Sequence, residues 1–116
     1  MIIWRKDIAP VDNYHVMLVP KAEDDILNIG DYIAFTLLEP DISRILINGL
    51  RLAISSLEKF PYKFPLVQDD ILMNYDIHCM PYKNYYVFYK IIKERKIVSI
   101  LRVGYNERDW INILNL

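Results

Sequence analysis

The sequence has 116 residues, 53% of them hydrophobic and 25% charged, with a net charge of -1. At that length a chain buries roughly two-thirds of its unfolded surface as one domain, so it needs neither a metal nor a disulfide to fold. The single cysteine, Cys79, excludes an internal disulfide and points to a reducing compartment.

The first residues, Met1-Ile2-Ile3-Trp4-Arg5-Lys6-Asp7, lack the apolar run of a signal peptide. No apolar stretch approaches the roughly 18 residues of a membrane span. A cytoplasmic protein is expected. Only Cys79, His15 and His78 supply soft ligands, so no metal site and no cofactor are expected. Charge is segregated along the chain. Residues 1–73 hold seven Lys/Arg against eleven Asp/Glu, whereas residues 74–116 hold seven against four. A basic C-terminal part can meet phosphate while the whole chain stays near neutral; chance segregation of surface charge gives the same numbers.

Residues 1–13 read as an arm with no clear period, interrupted by Pro10. Residues 14–19 are rich in β-branched and aromatic side chains and predict a short strand. Pro20 suits the first position of a helix, and Glu23, Asp24 and Asp25 load its first turn with negative charge that favours the helix dipole. Ala22, Ile26, Ile29, Ile33 and Leu37 repeat at helical spacing and predict one buried stripe. Pro40 ends the run, because proline disfavours helix at the residue before it.

Asp41 is the expected N-cap of a second helix. Its stripe is Ile42, Ile45, Leu46, Gly49, Leu50, Ala53, Ile54 and Leu57. Ile47 falls off this stripe, beside Arg44, Arg51 and Ser55, where an apolar side chain is available to a partner. Phe60-Pro61-Tyr62-Lys63-Phe64-Pro65 is broken twice by proline and reads as a loop. After Asn74 the period shortens to two. Residues 77–80, 85–92 and 97–103 predict three strands, joined through Pro81-Tyr82-Lys83-Asn84 and Lys93-Glu94-Arg95-Lys96. The order is therefore β-α-α-β-β-β, an α+β fold in a single domain spanning 1–116. A helical hairpin covers one face of a small, mainly antiparallel sheet and leaves the other face available.

Five segments carry a resemblance over nearly the whole chain. They are the opening Tyr14-His15-Val16-Met17-Leu18 with the helix start after it, then Asp31-Tyr32-Ile33-Ala34, then Leu57-Glu58-Lys59-Phe60-Pro61. Asn84-Tyr85-Tyr86-Val87-Phe88-Tyr89 follows, and last the stretch from Leu101-Arg102-Val103 to Arg108-Asp109-Trp110. In this order and spacing the chain resembles the RelE/ParE superfamily of type II toxin-antitoxin toxins. The resemblance implies a toxin held inactive by a cognate antitoxin. It implies either of two targets: the ribosomal A site, where RelE-like members cut messenger RNA, or DNA gyrase, which ParE-like members block without catalytic residues.

The leading expectation is the RelE-like ribonuclease that inhibits translation; the gyrase inhibitor and a degenerate member that only binds its antitoxin are the alternatives. Metal-free RNA cleavage needs a base for the 2'-hydroxyl, cations for the phosphate and an acid for the leaving oxygen. The resemblance implies that such groups lie on the last strands and the C-terminus. The candidates are Arg102, His78 and Tyr105 for catalysis, with Lys83 and Arg108 for binding substrate. Each has a plainer reading. Arg102 as a phosphate clamp competes with Arg102 paired to a carboxylate that holds the sheet. His78 as base competes with a histidine packed beside Cys79 and Met80. Tyr105 as a base-stacking ring competes with an ordinary packed tyrosine, and Arg108 pairs as readily with Glu107 or Asp109. Trp110 reads as packing at the sheet edge and Cys79 as a small core hydrophobe. Tyr86 departs from several nuclease members, which the resemblance implies carry arginine there; this removes a phosphate contact. The antitoxin is expected to be an acidic segment that folds along the basic C-terminal surface, against Arg102, Arg108 or Lys83, with apolar contacts that include Ile47.

Overall fold

A computed structural model describes residues 13–68 and 73–105. Strand β1 spans His15–Leu18, helix α1 Pro20–Asp31 and helix α2 Pro40–Ser55. Strands β2, β3 and β4 span His78–Tyr82, Tyr85–Ile92 and Ile97–Gly104. The sheet order is β1-β4-β3-β2, with β1 parallel to β4 and the other two pairs antiparallel. This is the α+β architecture expected. The parallel pair arises because the helical hairpin, not a tight turn, carries the chain from β1 to the strands beside it.

The core lies between the sheet and the hairpin. Ala22 and Ile26 from α1, Leu50 and Ile54 from α2, and Leu57 just beyond it meet Met80, Tyr85, Val87, Tyr89, Val98, Ile100 and Val103. A smaller cluster on the opposite sheet face buries Phe88 and Ile77 beneath Val67, Cys79, Tyr86 and Leu101. That face is therefore not wholly free: Phe88 is fully buried on it.

Several local expectations change. Helix α1 does not run regularly to Leu37. A single π-helical turn follows over Tyr32–Thr36, with the Leu37 amide donating to the Tyr32 carbonyl at 3.0 Å. Leu38 then adopts left-handed backbone, φ 56°, and reverses the chain. Leu37 thus falls outside the helix and is half exposed rather than buried. Asp41 is not the N-cap of α2. Glu39 holds that position and Pro40 is the first helical residue, where its missing N–H costs nothing. Asp41 sits in the first turn, 3.9 Å from Arg44.

The buried face of α2 is also rotated from the expected one. Ile42 and Ile45 are 54% and 63% exposed, whereas Ser43 is buried and donates from Oγ to the Gly30 carbonyl at 2.7 Å. The reason is the neighbouring helix. Gly30 of α1 offers no side chain, so α2 packs with Ser43 and Ile47 against it; a Cβ at Gly30 would lie 3.2 Å from Ile47. Ile47 is consequently part-buried against the core. Between β2 and β3 the turn is only Lys83-Asn84, because Pro81 and Tyr82 continue the strand. Proline is tolerated there since β2 is an edge strand.

Truncation should separate the two apolar stripes. Ile26→Ala removes a fully buried side chain and is expected to cost about 2–5 kcal/mol by chemical denaturation. Ile42→Ala, on the open side of α2, is expected to stay within about 0.5 kcal/mol of the wild type.

Candidate functional site

Arg102 is set by an irregularity in the sheet. Phe88 pairs with Arg102, but the next residue, Tyr89, pairs with Ile100, so Leu101 is an extra residue in β4. Such a bulge re-aims the side chains around it. The Arg102 guanidinium reaches α1 and donates twice to Asp25, from Nε at 2.8 Å and from one terminal nitrogen at 3.0 Å. Asp25 accepts a third bond from the Val103 backbone N–H at 2.9 Å. Here β1 has already ended, its last backbone link being the Val19 amide to the Ile100 carbonyl. The carboxylate therefore takes the place of a missing strand on the edge of β4. The pair is 23% and 15% exposed, and the bond to Asp25 raises the Arg102 pKa above its already high ordinary value.

His78 opens β2 and faces the hairpin side of the sheet, not the opposite face. It is buried, its Nδ1 lies 2.7 Å from the Phe64 carbonyl, and its ring stacks on Tyr89 at 5.0 Å. A carbonyl can only accept, so Nδ1 carries a proton and donates. Tyr89 in turn donates to the Pro61 carbonyl at 2.8 Å. Together the two rings fasten the 61–65 loop to the sheet. Burial pushes the Tyr89 hydroxyl up to about 12.

Tyr105 and Lys83 lie at the other end of β2 and β3. Tyr105 is 59% exposed and stacks on Tyr85 at 5.1 Å. Burial raises the Tyr85 pKa, with a smaller contribution from Tyr105. Lys83 occupies the turn with φ 53°, its Nζ 5.8 Å from the Tyr82 ring centroid. Arg108 and Trp110 lie outside the described residues. The arrangement brings Tyr105 and Lys83 toward one end of the sheet, while Arg102 lies level with Cys79, four residues short of Lys83 along β2. His78 is one residue off the level of Arg102 but two strands away, roughly 10 Å across the sheet, and about 13 Å along β2 from Tyr82 at the turn.

Sequence reasoning read Asp25 as a helix-dipole residue and so missed its role; Glu23 likewise binds Arg51 of α2 through two bonds of 2.6 and 3.2 Å. Charge patterning supplied no signal for either pair, because their partners are 77 and 28 residues away. Among the described residues no cluster of three His, Cys, Asp or Glu side chains could hold a metal ion. Nor is any described helix long and apolar enough to cross a membrane.

Residues 16–110 match the model of the ParE toxin of the type II toxin-antitoxin system parDE. The chain belongs to the ParE toxin family. The fold agrees with solved structures of this group. A chromosomal ParDE system from P. aeruginosa gives a TM-score of 0.67 at 13% identity, covering 83% of this chain and 99% of that one. The RelBE2 toxin-antitoxin complex of Mycobacterium tuberculosis gives 0.59 at 18% identity, with 84% and 95% covered. A double mutant of the E. coli toxin RelE in the free state gives 0.59 at 14%, with 86% and 90% covered. No curated protein sequence matches the chain at a significant level.

In this ParE-family chain the Asp25 clamp is open to a double-mutant cycle. Asp25→Ala strands the Val103 N–H and removes two bonds from the guanidinium, and is expected to cost about 2–3 kcal/mol. Arg102→Ala leaves Asp25 its backbone bond and should cost less, with the two changes strongly non-additive in urea denaturation. A pH effect is expected from Tyr89. Its folded pKa of about 12 exceeds the unfolded value of about 10, so the neutral phenol stabilises the fold fully below pH 10 or so. That contribution is lost as pH rises through about 12. Phenolate absorbance should show a late-titrating component that Tyr89→Phe removes.

Proposed function

We propose that this toxin arrests growth by binding its target, as ParE-like members bind DNA gyrase, rather than by cutting RNA. The observation that carries the reading is the commitment of Arg102. Its guanidinium is spent on Asp25 in a part-buried, bidentate pair, so using it as a phosphate clamp would first require breaking that pair. Two further facts support it. His78 is buried under the 61–65 loop with Nδ1 engaged, and Tyr86 stands where the nuclease pattern has arginine. A binding inhibitor requires none of these groups to converge.

The partner in this reading is a cognate antitoxin. The groove beside β1 suits it. The His15 and Val19 amides bond to β4, so those of Val16 and Leu18 point to the outer edge of the sheet. That edge lines a cleft of about 220 Å³ with Arg51, Ile54, Ser55 and Glu58 of the second helix and its end. An extended antitoxin segment would add a strand there and reach the exposed Lys83 end with acidic residues.

Induced expression tests the mode of action. The expected outcome is growth arrest with trapped or inhibited gyrase and no new message ends by primer extension. Cleaved messages appearing with the arrest, and disappearing in a stably folded Arg102→Ala or His78→Ala protein, would return the assignment to a ribosome-directed ribonuclease.

A further inference from the structure

Positive charge is concentrated at the end of the sheet away from the Lys83 turn. Lys59 and Lys63 follow helix α2, and Lys93, Arg95 and Lys96 form the β3–β4 connection; all five are exposed. Only Glu58 and Glu94 oppose them within these two segments. Backbone bonds hold the segments together. Tyr14 donates to the Glu58 carbonyl and His15 to the Lys96 carbonyl, each at 2.8 Å, so adjacent residues tie one to the other. By contrast, the tip of the helical hairpin is acidic, with Asp31, Glu39 and Asp41 against Arg44.

Aromatic rings are set among these cations. The Lys96 Nζ lies 5.8 Å from the centroid of Tyr14, and the Lys63 Nζ 5.4 Å from that of Phe64. Tyr62 meets Tyr14 edge-on at 6.4 Å. Phe60 and Tyr62 nevertheless remain 60% and 58% exposed. The loop that presents them is anchored from below, by His78 on Phe64 and Tyr89 on Pro61, and stiffened by two prolines. A loop that keeps two rings more than half in water gives up hydrophobic stabilisation, only part of which Tyr62 recovers through its edge contacts with Tyr14 and His78.

We propose that this face binds single-stranded nucleic acid, the lysines tracking phosphates while Phe60 and Tyr62 stack on bases. That combination of cations and open ring faces is what sequence-tolerant single-strand binding needs. An acidic peptide would use the lysines but not the rings, and a duplex hides its base faces. The surface lies away from Arg102, Tyr105 and Lys83, and it stands whether the toxin acts on gyrase or on the ribosome.

Fluorescence anisotropy of the full chain with labelled oligothymidylate tests this. Binding should weaken steeply with salt. Lys59→Gln, Lys63→Gln and Lys96→Gln together should lower the slope of log affinity against log salt by about 2, at about 0.7 per phosphate contact. Phe60→Ala should weaken binding about tenfold with the slope unchanged. Arg44→Gln, on the hairpin, should change neither. Thermal midpoints close to that of the wild type show that the variants are folded. The proposal is overturned if the wild type does not bind at low salt, or if the Phe60 and lysine variants bind as it does. It is equally overturned if duplex of the same length binds as tightly as single strand, or if polyglutamate at equal charge competes as well as the oligonucleotide.

Discussion

The fold turns on one carboxylate. Where β1 ends at Leu18, β4 runs on through Val103 with one edge open. Asp25, one turn into the first helix, closes it by accepting the Val103 amide and both guanidinium bonds of Arg102. An amide left unpaired in a part-buried edge would cost on the order of 1–3 kcal/mol. The same contact fixes how α1 lies over the sheet. The hairpin core of Ile26, Leu50, Ile54 and Leu57 is assembled on that placement.

A second constraint acts on the far side of the sheet, at edge strand β2. His78 and Tyr89 are neighbours across β2 and β3, stacked ring on ring, and each bonds a carbonyl of the proline-broken loop. The loop would otherwise have few backbone bonds of its own. Fixing it lets Phe60 and Tyr62 stand out from the surface without drifting into the core. The two groups that a ribonuclease reading values most, Arg102 and His78, thus serve as fasteners on two different strands of the sheet. A fold shared between ribosome-directed and gyrase-directed toxins supports either chemistry, so function follows from what particular side chains are free to do.

The exposed apolar residues of α2 follow from the same packing. Gly30 lets the two helices approach closely, with Ser43 bonded across the contact. Gly49, two turns along, leaves room for the hydroxyl end of Tyr82 from β2, which a Cβ there would displace. These two contacts set the rotation of α2 about its axis. Ile42 and Ile45 are turned outward as a result, although their spacing matches that of a buried stripe.

Periodicity determined the elements. The α+β order, the helix pair between Pro20 and Ser55 and the three late strands were legible because period 3.6 and period 2 are local properties of the chain. The five motifs from Tyr14 to Trp110 likewise sufficed for the family, since they are local strings in a fixed order. Three things needed the tertiary structure. Spacing gave Ile42 and Ile47 their helix, but only the approach of Gly30 decided which one was covered. Composition marked Asp25 as acid in a first turn, but only the bulge at Leu101 brought Arg102 to it from 77 residues away. The sequence named His78 and Arg102 together as candidates, and the sheet set them two strands apart on separate tasks. Helical and strand periods carry no information about such pairings, which depend on register, bulges and the distance at which two backbones can pass.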